Sequence, residues 1–287
     1  MLLTVDVGNT NTVLGVFDGP TLVRSWRVKT EARSTADELA LTFGGLLHGT
    51  PVTGVSVCST VPAVLLELRR MIERYYADLP VVLVEPGVRT GVPILIDNPK
   101  EVGADRVVNT VAAASLFGGP AVVVDFGTAT NIDVVSARGE YLGGALAPGI
   151  EISLDALAAR GAQLRKVELA VPRNVIGKST VEALQSGMIY GVAGQVDGLV
   201  RRIAAELGGE PGRDVTVIAT GGLAPLVLGV SETLGHHEPD LTLIGLRLVF
   251  EKNTPPARAT AHPATAHRAP APPTPPQPAA GPTSGAQ

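Results

Sequence analysis

Aromatic side chains are scarce in this sequence, at 3% of 287 residues, so its core must be built from Val, Leu, Ile and Ala. Cysteine occurs once. Cys58, in the apolar run 52–58, has no partner for an internal disulfide, and a reducing cytoplasm is the expected setting. No histidine lies near it in the sequence, which argues against a thiol nucleophile. No apolar stretch reaches the roughly 18 uninterrupted residues of a membrane span. The N-terminus opens into a strand-like segment without the basic region of a signal peptide. There is no basic excess either. The formal net charge is -4, which argues against a nucleic-acid partner, whose phosphates require clustered Lys and Arg. A small phosphate ligand is not excluded, because backbone amides and a metal can hold one.

What remains is an aliphatic globular chain, 45% hydrophobic and 17% charged, long enough for two domains. Its last 34 residues, from Thr254, hold ten Pro and ten Ala and no acid. Such a segment buries too little apolar surface to offset its ordering entropy and is expected to be a disordered, inert extension.

The rest divides into halves that resemble each other. Residues 2–28 read as three strands joined by turns, and residues 121–146 repeat the pattern, with Asp6 aligned to Asp125 and Gly8 to Gly127. A glycine turn follows in each half, Asp18-Gly19 and Arg138-Gly139, as between antiparallel strands. A repeat of about 119 residues is too long for a solenoid and implies duplicated domains facing each other. Helical patterns are expected at 36–48, 62–77, 101–117, 180–206 and after Gly222. Further strands are expected at 52–58, 80–84, 214–219 and 241–244, the last preceding a final helical segment. The fold class is therefore α/β, with domains at 1–117 and 118–253 and a tail at 254–287.

Four constellations carry chemistry. Asp6-Val7-Gly8-Asn9-Thr10-Asn11-Thr12 ends an apolar strand. Its glycine lets the backbone approach a phosphate, its Asn and Thr donate, and Asp6 can hold hydrated Mg²⁺. A hairpin turn rich in Asn and Thr would look the same. Asp125-Phe126-Gly127-Thr128-Ala129-Thr130-Asn131 repeats the arrangement, and two such turns facing each other form a clamp for a polyphosphate and its cation. Thr220-Gly221-Gly222-Leu223-Ala224 joins a strand to a helix and allows close approach of a flat ligand or an anion. Gly103-Ala104-Asp105-Arg106 opens a helix. A carboxylate there serves as a cap, or accepts a proton from an attacking hydroxyl, while a guanidinium can grip a carboxylate.

Taken in order, D-x-G-N-T, G-A-D-R, D-F-G-T-A, G-G-x-x-x-P-G (143–149), G-K-S-T (177–180) and T-G-G resemble the type III pantothenate kinase family over residues 1–252. The resemblance implies the duplicated ribonuclease-H-like fold shared with actin, the heat-shock 70 chaperones and sugar kinases, with a cleft between the halves. It also implies ATP-dependent phosphorylation of pantothenate, the first step toward coenzyme A, by a homodimer. It places ATP on Asp6, Val7, Gly8, Asn9, Thr10, Asn11, Thr12, Val13 and Thr128, with Asp6 near Mg²⁺. Pantothenate falls on Gly103, Ala104, Asp105 and Arg106, with Asp105 as general base, and on Thr180, which can come from the partner chain. Asp125 would hold a monovalent cation, potassium or ammonium. The chain departs from the family at Ile96, where many members carry a Tyr that contacts pantothenate. The rival readings are a kinase for another small hydroxylated substrate on the same fold, an accessory regulatory factor without kinase activity, and an actin-like filament. His236-His237-Glu238 reads as a polar loop, because adjacent histidines point apart, and Lys178 lacks the spacing of a Walker motif.

Overall fold

The computed structural model describes residues 1–160 and 167–254, so the expected tail lies outside the described residues beyond Thr254. Alternating and β-branched segments form two five-stranded sheets. The first contains β1 (Leu2–Val7), β2 (Asn11–Asp18), β3 (Thr21–Lys29), β4 (Gly54–Ser59) and β5 (Val81–Leu83), in the order β3-β2-β1-β4-β5. The second contains β6 (Ala121–Phe126), β7 (Ala129–Val135), β8 (Tyr141–Pro148), β9 (Thr216–Thr220) and β10 (His236–His237), in the order β10-β9-β6-β7-β8. The helices are α1 (Ala36–Leu47), α2 (Pro62–Tyr75), α3 (Ala104–Leu116), α4 (Ile150–Arg160), α5 (Thr180–Glu206), α6 (Ala224–Leu228) and α7 (Leu241–Asn253).

The duplication is complete at the level of pairing. In each sheet the first three strands are antiparallel neighbours and the next two run parallel. Even the irregularity recurs, with an extra residue in the third strand of each sheet, Val23 of β3 opposite Val16/Phe17 and Leu142 of β8 opposite Val134/Val135.

Strand alternation sorts the residues of each sheet onto two faces. In the first, Leu3, Val5, Val7, Leu14, Val16, Val55 and Val57 pack under α1 and α2. The opposite face carries small residues. There Ser56 Oγ donates to the Leu246 carbonyl of α7 at 2.8 Å. In the second sheet Val122, Val124, Ile132 and Val217 pack with residues of α5 and α6. Ala121, Val123, Val135 and Ile218 on its other face meet Ala112 and Ala113 of α3.

The two middle helices therefore trade places. α7, the last helix of the second half, lies on the first sheet, and α3, the last helix of the first half, lies on the second. They cross so closely that a Cβ on Gly245 would fall 2.2 Å from the Val108 carbonyl oxygen. Only glycine allows that approach.

Two expectations need correcting. Residues 241–244 are not a strand but the first turn of α7. Leu241, Leu243, Leu246 and Val249 are buried at helical spacing, and a four-residue apolar run cannot by itself distinguish the two periods. The helix α4 was not anticipated, and it packs against α5 and β7. The polar loop expected at His236-His237 is a two-residue edge strand, exposed throughout, with His236 tilted against the Phe117 ring at 5.1 Å. Among the described residues no helix is long and apolar enough to cross a membrane.

Candidate active site

Both phosphate-type turns leave the ends of their sheets' central strands and open into one cleft of about 730 Å³. Gly8 N–H donates to the Asn11 carbonyl at 3.0 Å, and Gly127 N–H to that of Ala129 at 3.0 Å, so each turn closes on itself. The Thr10 and Thr128 hydroxyls share a hydrogen bond of 2.8 Å, which joins the halves directly at the clamp. Asp6, Gly8, Asn9, Thr10, Asn11 and Val13 line the cleft from one side and Asp125, Gly127 and Thr128 from the other. Gly103, Asp105 and Arg106 complete it from the start of α3.

Two of the expected ATP-site residues act beneath the surface. Val7 is buried in the core. Thr12, also buried, bonds to Thr30, which donates to the Gly8 carbonyl at 2.7 Å and so fixes the turn from below. Ala104 is half-buried on the first turn of α3. Thr180 begins α5 and is exposed, outside the cleft lining. Ser179 caps that helix by accepting from Glu182 N–H at 3.2 Å. Ile96 runs beside β8, where its Cγ2 lies 3.4 Å from where a Cβ on Gly143 would stand.

The electrostatics of the cleft are dominated by three carboxylates. Burial pushes Asp6 up to about 7, helped by the nearby charge of Asp105 and opposed by the Cys58 thiol and Arg27. Cys58 donates to Asp6 Oδ1 at 3.2 Å, so the single cysteine supports an acid and its own pKa is driven well up. Burial likewise pushes Asp125 to about 7, with Asp105, Asp6 and Asp133 adding to the shift. Asp105 is raised mainly by burial, while Arg106 N–H donates to its Oδ1 at 2.9 Å and holds it at the helix start. A carboxylate with raised affinity for protons, beside a cleft, is suited to accept one from a hydroxyl.

These groups also fit a cation. Oxygen donors that repel one another are relieved by a hard metal ion. Among the described residues no three His, Cys, Asp or Glu side chains are grouped closely enough to hold one alone. The donor set therefore suits an ion that keeps water or phosphate oxygens in its shell, as Mg²⁺ does.

Two parts of the site escaped sequence reasoning, Asp133 and Arg27, whereas Gly221 belongs to the Thr220-Gly221-Gly222 turn already singled out. Asp133, on β7, is fully buried and accepts from Arg106 Nε at 2.7 Å and from the Tyr141 hydroxyl at 3.0 Å. Arg106 Nη2 stands 2.7 Å from the same oxygen, and its guanidinium lies over the Tyr141 ring at 5.8 Å. Arg106 is thus tethered from the second half rather than solvated. Burial raises Asp133 to about 6 against the pull of that guanidinium. Its other oxygen, Oδ2, has no hydrogen-bond partner. Gly221 sits at φ +88°, pressed so close to Asp125 that a Cβ there would fall 2.4 Å from Oδ1. Arg27, on β3, lines the cleft as well. A buried acid in an apolar strand was the available signal for Asp133.

A family model described as type III pantothenate kinase matches residues 2–202. The type III pantothenate kinase of Parafrankia sp. (strain EAN1pec) is 73% identical over 256 residues, covering 89% of this chain and 100% of the relative. That of Frankia alni is 74% identical over 253 residues, covering 88% and 100%. The Streptomyces coelicolor enzyme of the same name is 64% identical over 262 residues, covering 88% and 98%. Among solved structures, a putative Baf family transcriptional activator from Campylobacter jejuni superposes with a TM-score of 0.56 at 16% identity, covering 88% of this chain and 98% of that one. The ethanolamine utilization protein EutJ from Carboxydothermus hydrogenoformans gives 0.51 at 17%, covering 86% and 89%. At such identities these two bear on the fold alone.

Proposed function

The chain belongs to the type III pantothenate kinase family, and on that premise we propose that its cleft transfers the γ-phosphoryl group of ATP to pantothenate, the first step toward coenzyme A. The observation that carries this reading is the meeting of both glycine turns, joined through Thr10 and Thr128, with Asp105 in the same cleft. The turn 6–13 and Thr128 cradle the phosphates of ATP. Asp105 orients the primary hydroxyl of pantothenate and takes its proton as the oxygen attacks in line. Arg106, fixed by Asp133, faces the substrate's carboxylate with the donors that remain to it.

Asp6 would hold hydrated Mg²⁺, and Asp125, under the backbone of Gly221, a potassium or ammonium ion. Bound there, such ions supply positive charge against the phosphate oxygens. The chain's own turns supply backbone donors for the same oxygens.

We further propose a homodimer in the cytoplasm. Leu142, Leu146, Ile152, Val175, Ile176 and Val181 are exposed apolar residues on β8, α4, the approach to α5 and its first turn, a distribution suited to a second copy. Thr180 belongs to that surface, which supports its serving the partner's pantothenate site.

The test is an ADP-release assay with ATP, Mg²⁺, potassium and a panel of small hydroxylated acids and sugars. Release is expected with pantothenate and not with the others. Release with another acceptor alone would make the chain a different kinase, and no release with any acceptor would favour the accessory-factor reading.

A further inference from the structure

A row of side chains crosses the first sheet at the level of the cleft. Arg27 pairs with Val13, Val13 with Asp6, and Asp6 with Cys58. Residues directly opposite on neighbouring strands share a face of the sheet. Arg27 and Asp6 therefore rise into the cleft together, two strand spacings or roughly 10 Å apart. The bulge at Val16/Phe17 sets this arrangement. Without its extra residue Trp26 would stand opposite Val13, and Arg27 would point to the other face.

From β3 the guanidinium reaches the opposite half. Its Nη1 stands 3.0 Å, and its Cζ 3.4 Å, from where a Cβ on Gly222 would lie. Arg27 thus spans the cleft, and the missing side chain at 222 leaves it room. Among the described residues its side chain is in no ion pair or hydrogen bond, although its charge is felt by Asp6, Asp125 and Asp240. Arg106, the other arginine of the cleft, is committed to Asp133. The remaining charged lining includes Asp6, Asp105, Asp125 and Glu151. A polyphosphate entering here meets carboxylates that repel it, and one guanidinium free to pair with its oxygens in a planar fork.

We propose that Arg27 is a further catalytic residue, whose guanidinium binds the γ-phosphoryl oxygens while the group passes from ATP to pantothenate. The proposal rests on the kinase reading above. In that step the bond from the γ-phosphorus to the bridging oxygen of ADP breaks, a bond to the pantothenate hydroxyl oxygen forms, and the hydroxyl proton goes to Asp105. Charge on the three equatorial oxygens is what an arginine at this place stabilises, in the transition state more than in bound ATP.

Arg27→Ala and Arg27→Lys test it in two ways. The first is the rate of pantothenate-dependent ADP release. The second is the affinity for ADP with Mg²⁺ and aluminium fluoride, a mimic of the group in flight, against the affinity for ADP alone. In Arg27→Ala, kcat is expected to fall at least about 100-fold, with KM for pantothenate held within about twofold. Arg27→Lys should recover part of the rate, and both variants should lose more affinity for the mimic than for ADP. Should Arg27→Ala misfold, Arg27→Lys and Arg27→Gln report the same split between mimic and ADP. A kcat within about threefold of wild type in Arg27→Ala, or equal losses of mimic and ADP affinity, would overturn the proposal and leave Arg27 as a tie between the halves. A wild-type chain without pantothenate-dependent ADP release would instead overturn the kinase reading beneath it.

Discussion

The two halves put different chemistry on the same scaffold. Across the first sheet the cleft row reads Arg27, Val13, Asp6, Cys58; across the second it reads Leu146, Asn131, Asp125, Thr220. The acid is common to both rows and everything beside it has diverged. The first half faces the cleft with a cation and a thiol-supported carboxylate. The second faces it with an amide, a hydroxyl and a leucine that is 67% exposed. Duplication supplied two acidic strand ends, and their neighbours decide what each acid does. In the proposed division Asp6 serves the transferred phosphate and Asp125 a resident monovalent ion.

Four experiments test that contrast. The largest effect is expected at the residue that belongs to neither row. Asp105→Asn should lower kcat about a thousandfold, within the range of lost general-base catalysis, while the far-ultraviolet circular dichroism is unchanged. Near-normal turnover would remove Asp105 from the base role. Next, Asp6→Asn and Asp125→Asn should part company in ion titrations of the rate. Asp6→Asn should weaken the response to Mg²⁺, and Asp125→Asn should flatten the response to potassium. Identical profiles for the two variants would mean that the rows have not diverged in function.

Third, Asp133→Ala should cost about 3 kcal/mol in denaturant unfolding, since it strips a partly buried guanidinium of its partner. Asp133→Asn should keep the fold and raise KM for pantothenate more than it lowers kcat. An unchanged KM would show that Arg106 needs no tether. The smallest effect concerns pH. Asp6 and Asp125 are raised from 3.8 to about 7, so the folded chain binds more protons than the unfolded one between those values. Stability of the metal-free protein should then be highest near pH 4 as far as these groups are concerned, and be lost as pH rises through about 7. The thermal midpoint should follow that slope, and Asp125→Asn should flatten it. A slope unchanged by that substitution would assign the pH dependence to other groups.

The duplication and its acids were legible because the signal is local. An apolar strand that ends in Asp-x-Gly is visible as text, and finding it twice fixes the architecture. Asp105 was legible for the same reason, at a helix start. Arg27 was not. Its face depends on one bulged residue, and counting back from the Asp18-Gly19 turn without the bulge selects Trp26. Asp133 was hidden by the swapped helices, because nothing in its strand tells that α3 will deliver an arginine to it. The misreading of 241–244 has the same source. That segment is apolar because it meets α3 and the strands of both sheets, a destination its own four residues do not encode.

The exchange of α3 and α7 also bears on how the chain is made. The helix Leu241–Asn253 covers the first sheet, so that sheet stays open on one side until residues 241–253 have been made. A product stopped after Thr220 would carry every proposed catalytic side chain and still lack the helix that closes the first sheet. Half-made copies should therefore be inert, and prone to being cleared as unfinished, rather than slow versions of the enzyme. Competence waits on α7, which a segment far along the chain must bring back to the sheet made first.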